Sequence, residues 1–199
     1  MREHYPVEEM STRRPATYED LLAVPEHLVA EIIDGELITS PRPALRRADV
    51  TTGLASELRQ AFDRGGSGPG GWRILFEPEL HFGDDVLVPD IVGWRRERLP
   101  HVPQEAWLAL APDWLCEVLS PSTTALDRGK KLRIYAREGV PHVWLVDPLA
   151  QRVEVLRRDG ADWLPVAIDD RRGSLRAEPF EAIGIDLTLL WDEGRATGA

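Results

Sequence analysis

The chain has 199 residues, 43% hydrophobic and 29% charged, which suits one folded domain and excludes a disordered chain. A formal net charge of −10 argues against tight, sequence-blind coating of a phosphate backbone, because that binding is driven by Lys and Arg. No run approaches the roughly 20 apolar residues of a membrane span, the start from Met1 to Pro6 lacks a secretory core, and the lone Cys116 has no internal disulfide partner, so a cytoplasmic location is expected.

Residues 1–16 read as a loose arm, residues 17–191 as one domain and residues 192–199 as a frayed tail. Thr17 can cap a short helix running to Ala23, with Asp20 in the capping-box position. Val29–Ile33 and Glu36–Thr39 flank Asp34-Gly35, a two-residue hairpin signal. Val50, Leu54, Leu58, Ala61 and Phe62 recur at helical spacing and predict a helix over 45–64, which the Gly-rich run Gly65–Gly71 ends.

Strands are expected over 72–82 and 86–94, joined through Gly83-Asp84-Asp85, and another over 113–119. Ser120-Pro121-Ser122-Thr123 breaks the chain before a helix from Asp127 to Glu138, closed by Gly139. Strands at 142–147, 152–157 and 162–168 follow, the last two joined by an Asp159-Gly160 hairpin. The order implies a mixed α/β or α+β domain.

Three of these strands carry a carboxylate in an apolar row. Asp90 shares a face with Val86, Val88, Val92 and Trp94; Glu117 with Leu115 and Leu119; Glu31 with Val29 and Ile33. A buried carboxylate needs a cation, a strong donor or a proton. For one such residue, a rim position or an arginine pair is the commoner answer. Three on neighbouring strands shift the balance toward a cation site, and clustered oxygen ligands suit Mg²⁺. Glu77 and Glu79, sharing a face with Arg73 and His81, are expected in solvent, and Cys116 is expected as a small buried hydrophobe facing away from Glu117.

The run Glu31-Ile32-Ile33-Asp34-Gly35-Glu36-Leu37, then Pro89-Asp90, then Glu117 to Thr123, followed by Asp127, Lys131, Tyr135 and Gly139 to Pro148, resembles the Uma-two family. These are bacterial restriction-endonuclease candidates of the PD-(D/E)XK nuclease superfamily. The resemblance implies a restriction-endonuclease-like mixed β-sheet core flanked by helices, here with N-terminal and C-terminal β-hairpins. It implies Asp90, Glu117 and the backbone carbonyl of Val118 as ligands of Mg²⁺, with Mn²⁺ as a substitute. It makes Glu31 an accessory acid and Lys131 the catalytic cation. Two departures stand out: the superfamily lysine position, two residues after the second acid, holds Leu119, and the family's histidine in the helix after Ser40-Pro41 falls on Ala48.

The expected activity is metal-dependent hydrolysis of nucleic-acid phosphodiesters, DNA first, with weak nucleic-acid binding and a homodimer able to cut two strands. The alternatives are a nuclease-fold module that binds protein partners through its acidic surface, favoured by charge and Ala48, and a metal-dependent hydrolase of another phosphate ester. On an ideal helix from Asp127, Leu132, Tyr135 and Ala136 form the packing stripe, Lys131 lies at its edge, and Lys130 and Ile134 face away.

Overall fold

The computed structural model describes residues 14–169 and 173–191, so residues 1–13 of the expected arm and the expected tail at 192–199 lie outside it. Ala16 is tied down, its N–H donating to the Gly35 carbonyl at 2.8 Å. Helix α1 (Tyr18–Leu22) starts at Thr17, which forms the reciprocal capping box with Asp20. Strands β1 (Leu28–Ile33) and β2 (Glu36–Pro41) form the hairpin, with Ile33 paired to Glu36. Asp34 and Gly35 both take positive φ, 52° and 76°, as a two-residue turn of that hand requires. Helix α2 (Leu45–Leu58) continues as a π turn, Arg59–Asp63.

The two long central strands are each divided. Residues 72–82 form β3 (Trp72–Phe76) and β4 (Glu79–Phe82), and 86–94 form β5 (Asp85–Leu87) and β6 (Ile91–Arg95). Glu77-Pro78 and Val88-Pro89 interrupt them, as proline interrupts a ladder by lacking a donor; Glu77 takes φ 43°. After each break the chain changes sheet. Asp90 therefore does not lie within one continuous alternating strand; it sits where the chain passes between two sheets.

The remaining elements are β7 (Trp107–Leu108), β8 (Trp114–Val118), α3 (Thr124–Leu126), a π turn (Asp127–Lys131), α4 (Leu132–Arg137), β9 (His142–Asp147), β10 (Arg152–Asp159), β11 (Asp162–Asp169), β12 (Ser174–Leu175), β13 (Ile185–Asp186) and a 3-10 turn (Leu187–Leu189). One sheet runs β2-β1-β5-β4-β7, a second β11-β10-β9-β8-β6-β3, and β12 pairs with β13 in a third. In the second, β8 and β9 are parallel and the other pairs antiparallel, so the sheet is mixed. The last hairpin turns at Gly160-Ala161, one residue later than expected, because Asp159 pairs with Asp162.

Alternation along β8 divides the core. Trp114, Cys116 and Val118 face α2 and the segment after residue 173, whereas Leu115 and Leu119 face α4 and the first sheet. Cys116 is buried on the face opposite Glu117, as expected. Among the described residues no helix is long and apolar enough to cross a membrane.

The segment after residue 173 shows no periodicity in sequence, yet it plugs the first core through Phe180. That ring lies 4.6, 4.8, 4.9 and 5.7 Å from the rings of Phe62, Trp72, Trp114 and Trp144. Phe180→Ala should cost about 3–5 kcal/mol of stability, the usual range for emptying a buried aromatic site. Urea unfolding measures it, and a loss below about 1 kcal/mol would mean that the segment is peripheral.

Candidate active site

The break between β5 and β6 brings the predicted acids together. Antiparallel pairing of Ile91 with Cys116 places Asp90 beside Glu117, and β1 reaches the same place through the pairing of Ile32 with Val86. Asp90 is 3% and Glu117 1% exposed, and Glu31 is also buried. The fourth predicted residue, Lys131, comes from the π turn and is 3% exposed. Its Nζ lies 3.0 Å from Glu31 Oε1, 2.9 Å from Glu117 Oε1 and 3.5 Å from Asp127 Oδ1.

Backbone and ring donors fix the acids further. Val88 N–H donates to Glu31 Oε1 at 2.9 Å, Val118 N–H to Asp90 Oδ2 at 2.7 Å, and Tyr135 O–H to Glu117 Oε1 at 2.5 Å. In a strand the amide and carbonyl of one residue point to the same side, so the Val118 carbonyl lies on the edge of β8 that faces Asp90. The helix following β8, and not position 119 of β8 itself, brings the Lys131 ammonium to Glu117.

Sequence reasoning missed three members. Arg47, on the first turn of α2, places Nη2 at 2.7 and 2.8 Å from the two oxygens of Asp90. This arginine pair is the commoner fate foreseen for a single carboxylate, and nothing local in sequence links positions 43 apart. Asp127 is buried against Lys131; its i,i+4 spacing to that lysine was the available signal. Glu77, expected in solvent, is half-buried and helps line the cavity beside Asp90. Glu79 is likewise engaged, accepting from Tyr18 at 2.8 Å and lying 2.7 Å from His81 Nε2.

The helix carrying Lys131 differs from an ideal one. A π turn spans Asp127–Lys131, and wider winding resets the phase of everything after it. Ile134, expected to face away, is therefore fully buried with Tyr135 and Ala136, and Lys131 points inward with them. Lys130 is 38% exposed and pairs with Glu36 at 2.5 Å, on the solvent side as predicted.

Electrostatics set this cluster apart from ordinary buried ion pairs. Buried Asp63 meets Arg96 at 2.6 Å, Arg73 at 3.7 Å and Arg59 at 3.8 Å, so cations outnumber the acid. At the candidate site the ratio reverses: Glu31, Asp90, Glu117, Asp127 and half-buried Glu77 surround Lys131 and Arg47, with the more exposed Arg42 reaching Glu77 at 3.9 Å. Burial pushes Glu117 up to about 8, opposed by Lys131 and reinforced by Asp127, Asp90 and Glu31. Burial also raises Asp127 and Glu77. Burial opposes charge on Lys131, yet Glu117 and Glu31 carry its pKa well above the ordinary lysine value. The ammonium is therefore firmly charged.

A cavity of about 20 Å³ opens beside Glu31, Arg47, Glu77, Asp90, Asp127 and Lys131, room for one water-sized occupant. Two buried carboxylate oxygens, Glu117 Oε2 and Asp127 Oδ2, have no hydrogen-bond partner. Among the described residues no three acids, histidines or cysteines stand as a ready-made metal shell. Even so, an all-oxygen donor set, two orphaned oxygens and excess negative charge fit a hard divalent ion once a resident cation yields. A larger cleft of about 1000 Å³, lined in part by Asp34, His81, Asp85 and Arg137, has no comparable cluster. Its buried acid, Asp85, is engaged by Asp34 N–H at 2.7 Å and Arg137 at 2.9 Å.

A model of the Uma2 family, described as "Putative restriction endonuclease", matches residues 15–189. A solved structure described as a "putative nuclease belonging to DUF820" from Anabaena variabilis ATCC 29413 superposes with a TM-score of 0.72 at 25% identity, covering 89% of this chain and 98% of that one. No curated protein matches the chain.

Proposed function

Because the chain belongs to the Uma2 putative restriction endonuclease family, we propose that it is a metal-dependent endonuclease that hydrolyses nucleic-acid phosphodiester bonds, DNA first. The observation that carries this reading is buried Lys131, held 2.9 Å from Glu117 and 3.0 Å from Glu31, on a cavity shared with Asp90. A purely structural core has little use for so many acids around so few cations.

Asp90, Glu117 and the Val118 carbonyl would hold Mg²⁺, for which Mn²⁺ can substitute, with Glu31 as an accessory donor. Such an ion supplies a Lewis acid for a phosphoryl oxygen and acidifies water near neutral pH. The chain's own groups do the rest. Lys131 orients the attacking water and stabilises negative charge building on the phosphorane-like transition state. Glu31 and Asp127 aim the Lys131 ammonium, and Tyr135 and the Val88 and Val118 amides hold the acids in place. A homodimer would present two such sites to the two strands of a duplex.

The acidic chain should repel phosphate until its carboxylates are neutralised. Binding to a labelled duplex should therefore be weak, strongly salt-sensitive and tighter in Ca²⁺ than in EDTA, as read by fluorescence anisotropy. The second reading is a non-catalytic module with an acidic partner surface. It is favoured by the net charge of −10 and by Asp90 already having a cation in Arg47. Absence of DNA and RNA binding in every ionic condition would decide for that module.

A further inference from the structure

Arg47 holds Asp90 in an unusual way. A permanent arginine–carboxylate pair commonly uses two parallel N–H bonds, one to each oxygen. Here Nη2 alone meets both oxygens of Asp90, while Nε is buried without a partner. The guanidinium side chain retains 17% exposure and lines the cavity with Asp90, Glu77 and Lys131. Asp90 keeps a second anchor, the Val118 N–H at 2.7 Å, that does not depend on Arg47. The acid can therefore remain in place when the arginine leaves, and the arginine's residual exposure gives it a way out toward solvent.

We propose that Arg47 is an exchangeable counter-cation, which holds Asp90 while the divalent ion is away, yields Asp90 to that ion, and then pairs with a substrate phosphate. This rests on the metal-dependent reading of the site. The exchange follows from charge. Arg47 Nη2 meets both oxygens of Asp90, so a divalent ion that ligates either oxygen takes that contact from the arginine. Once displaced, a planar guanidinium beside the cavity has the donor geometry that suits a phosphate oxygen pair. Glu77, the half-buried acid beside it, keeps the displaced cation near the cavity.

The test is Mn²⁺ titration by electron paramagnetic resonance, without nucleic acid, on the parent and on Arg47→Gln, with Arg47→Ala as a second variant. Circular dichroism melts in EDTA confirm that each is folded. Removing the competitor should tighten Mn²⁺ binding by roughly tenfold in the folded variants. In Ca²⁺, the same variants should bind a labelled duplex roughly tenfold more weakly. Tight Mn²⁺ binding by the variants but not the parent would support the exchange in its strongest form. Equal or weaker Mn²⁺ binding by the variants, beside a parent that does bind, overturns the exchange and leaves the metal reading standing. Failure of parent and variants alike to bind overturns both. Unchanged duplex affinity overturns the transfer of Arg47 to phosphate.

Discussion

Lys131→Ala should lose cleavage by about a thousandfold or more while still binding Mn²⁺, and Lys130→Ala should cleave like the parent. The two lysines are neighbours in sequence but not in environment. Lys131 lies within 3.0 Å of two buried acids, whereas Lys130 is partly exposed and pairs with exposed Glu36. The Lys131 ammonium carries positive charge and so is no ligand for a cation; its removal leaves the acids free to bind one. It also leaves buried carboxylates without their counter-charge, which costs about 3–5 kcal/mol of metal-free stability. Lys131→Gln, which keeps a donor and most of the volume, serves as the second variant if Ala does not fold. Single-turnover assays in Mn²⁺, with metal titration alongside, measure both properties. Equal cleavage by the Lys130 and Lys131 variants would remove the cation from the mechanism.

Glu117→Gln and Asp90→Asn should each weaken Mn²⁺ binding by at least about 100-fold, but part company in stability without metal. Burial holds the Glu117 carboxyl up to about 8, against 4.5 for an ordinary glutamate. The folded state thus keeps a proton that the unfolded state has released between those values. The stability this contributes is full below about 4.5 and is lost as pH rises through about 8. In EDTA the parent should therefore become less stable as pH rises across that window, and Glu117→Gln should lack that contribution to the slope. Asp90 is different, because both oxygens accept charged or amide donors. Asn at that position turns an N–H toward those donors, and about 1–3 kcal/mol is lost. Thermal melts from pH 5 to 9 in EDTA check both. A parent whose stability is flat over that range would show that Glu117 titrates as an ordinary acid.

Local chemistry was legible wherever a few adjacent residues decide the structure. Thr17 with Asp20, Asp34-Gly35 and Gly139 each specify a cap or turn without help from distant residues. Three strand carboxylates in apolar rows pointed to the cluster, although the argument for Asp90 assumed a continuous strand. Pro78 and Pro89 signalled the breaks; that the chain then crosses to another sheet depends on tertiary packing. The π turn at 127–131 is invisible to a 100° helical phase, so the inward turn of Ile134 was missed and that of Lys131 understated. Arg47 and Phe180 act through partners far along the chain, Asp90 and the aromatic core. Neither has a local pattern to announce it.

Breakage of phosphodiester bonds by the pocket of Asp90, Glu117 and Lys131 with a divalent ion is the core of the proposed function. Its most direct test is single-turnover cleavage of end-labelled duplex and single-stranded DNA and RNA by the parent chain and Glu117→Gln, each in Mn²⁺, Mg²⁺ and EDTA. Cleavage by the parent is expected in Mn²⁺ and Mg²⁺, none in EDTA, and none by Glu117→Gln in any condition. No cleavage by the parent of any of these substrates, or cleavage that survives both EDTA and Glu117→Gln, would contradict it.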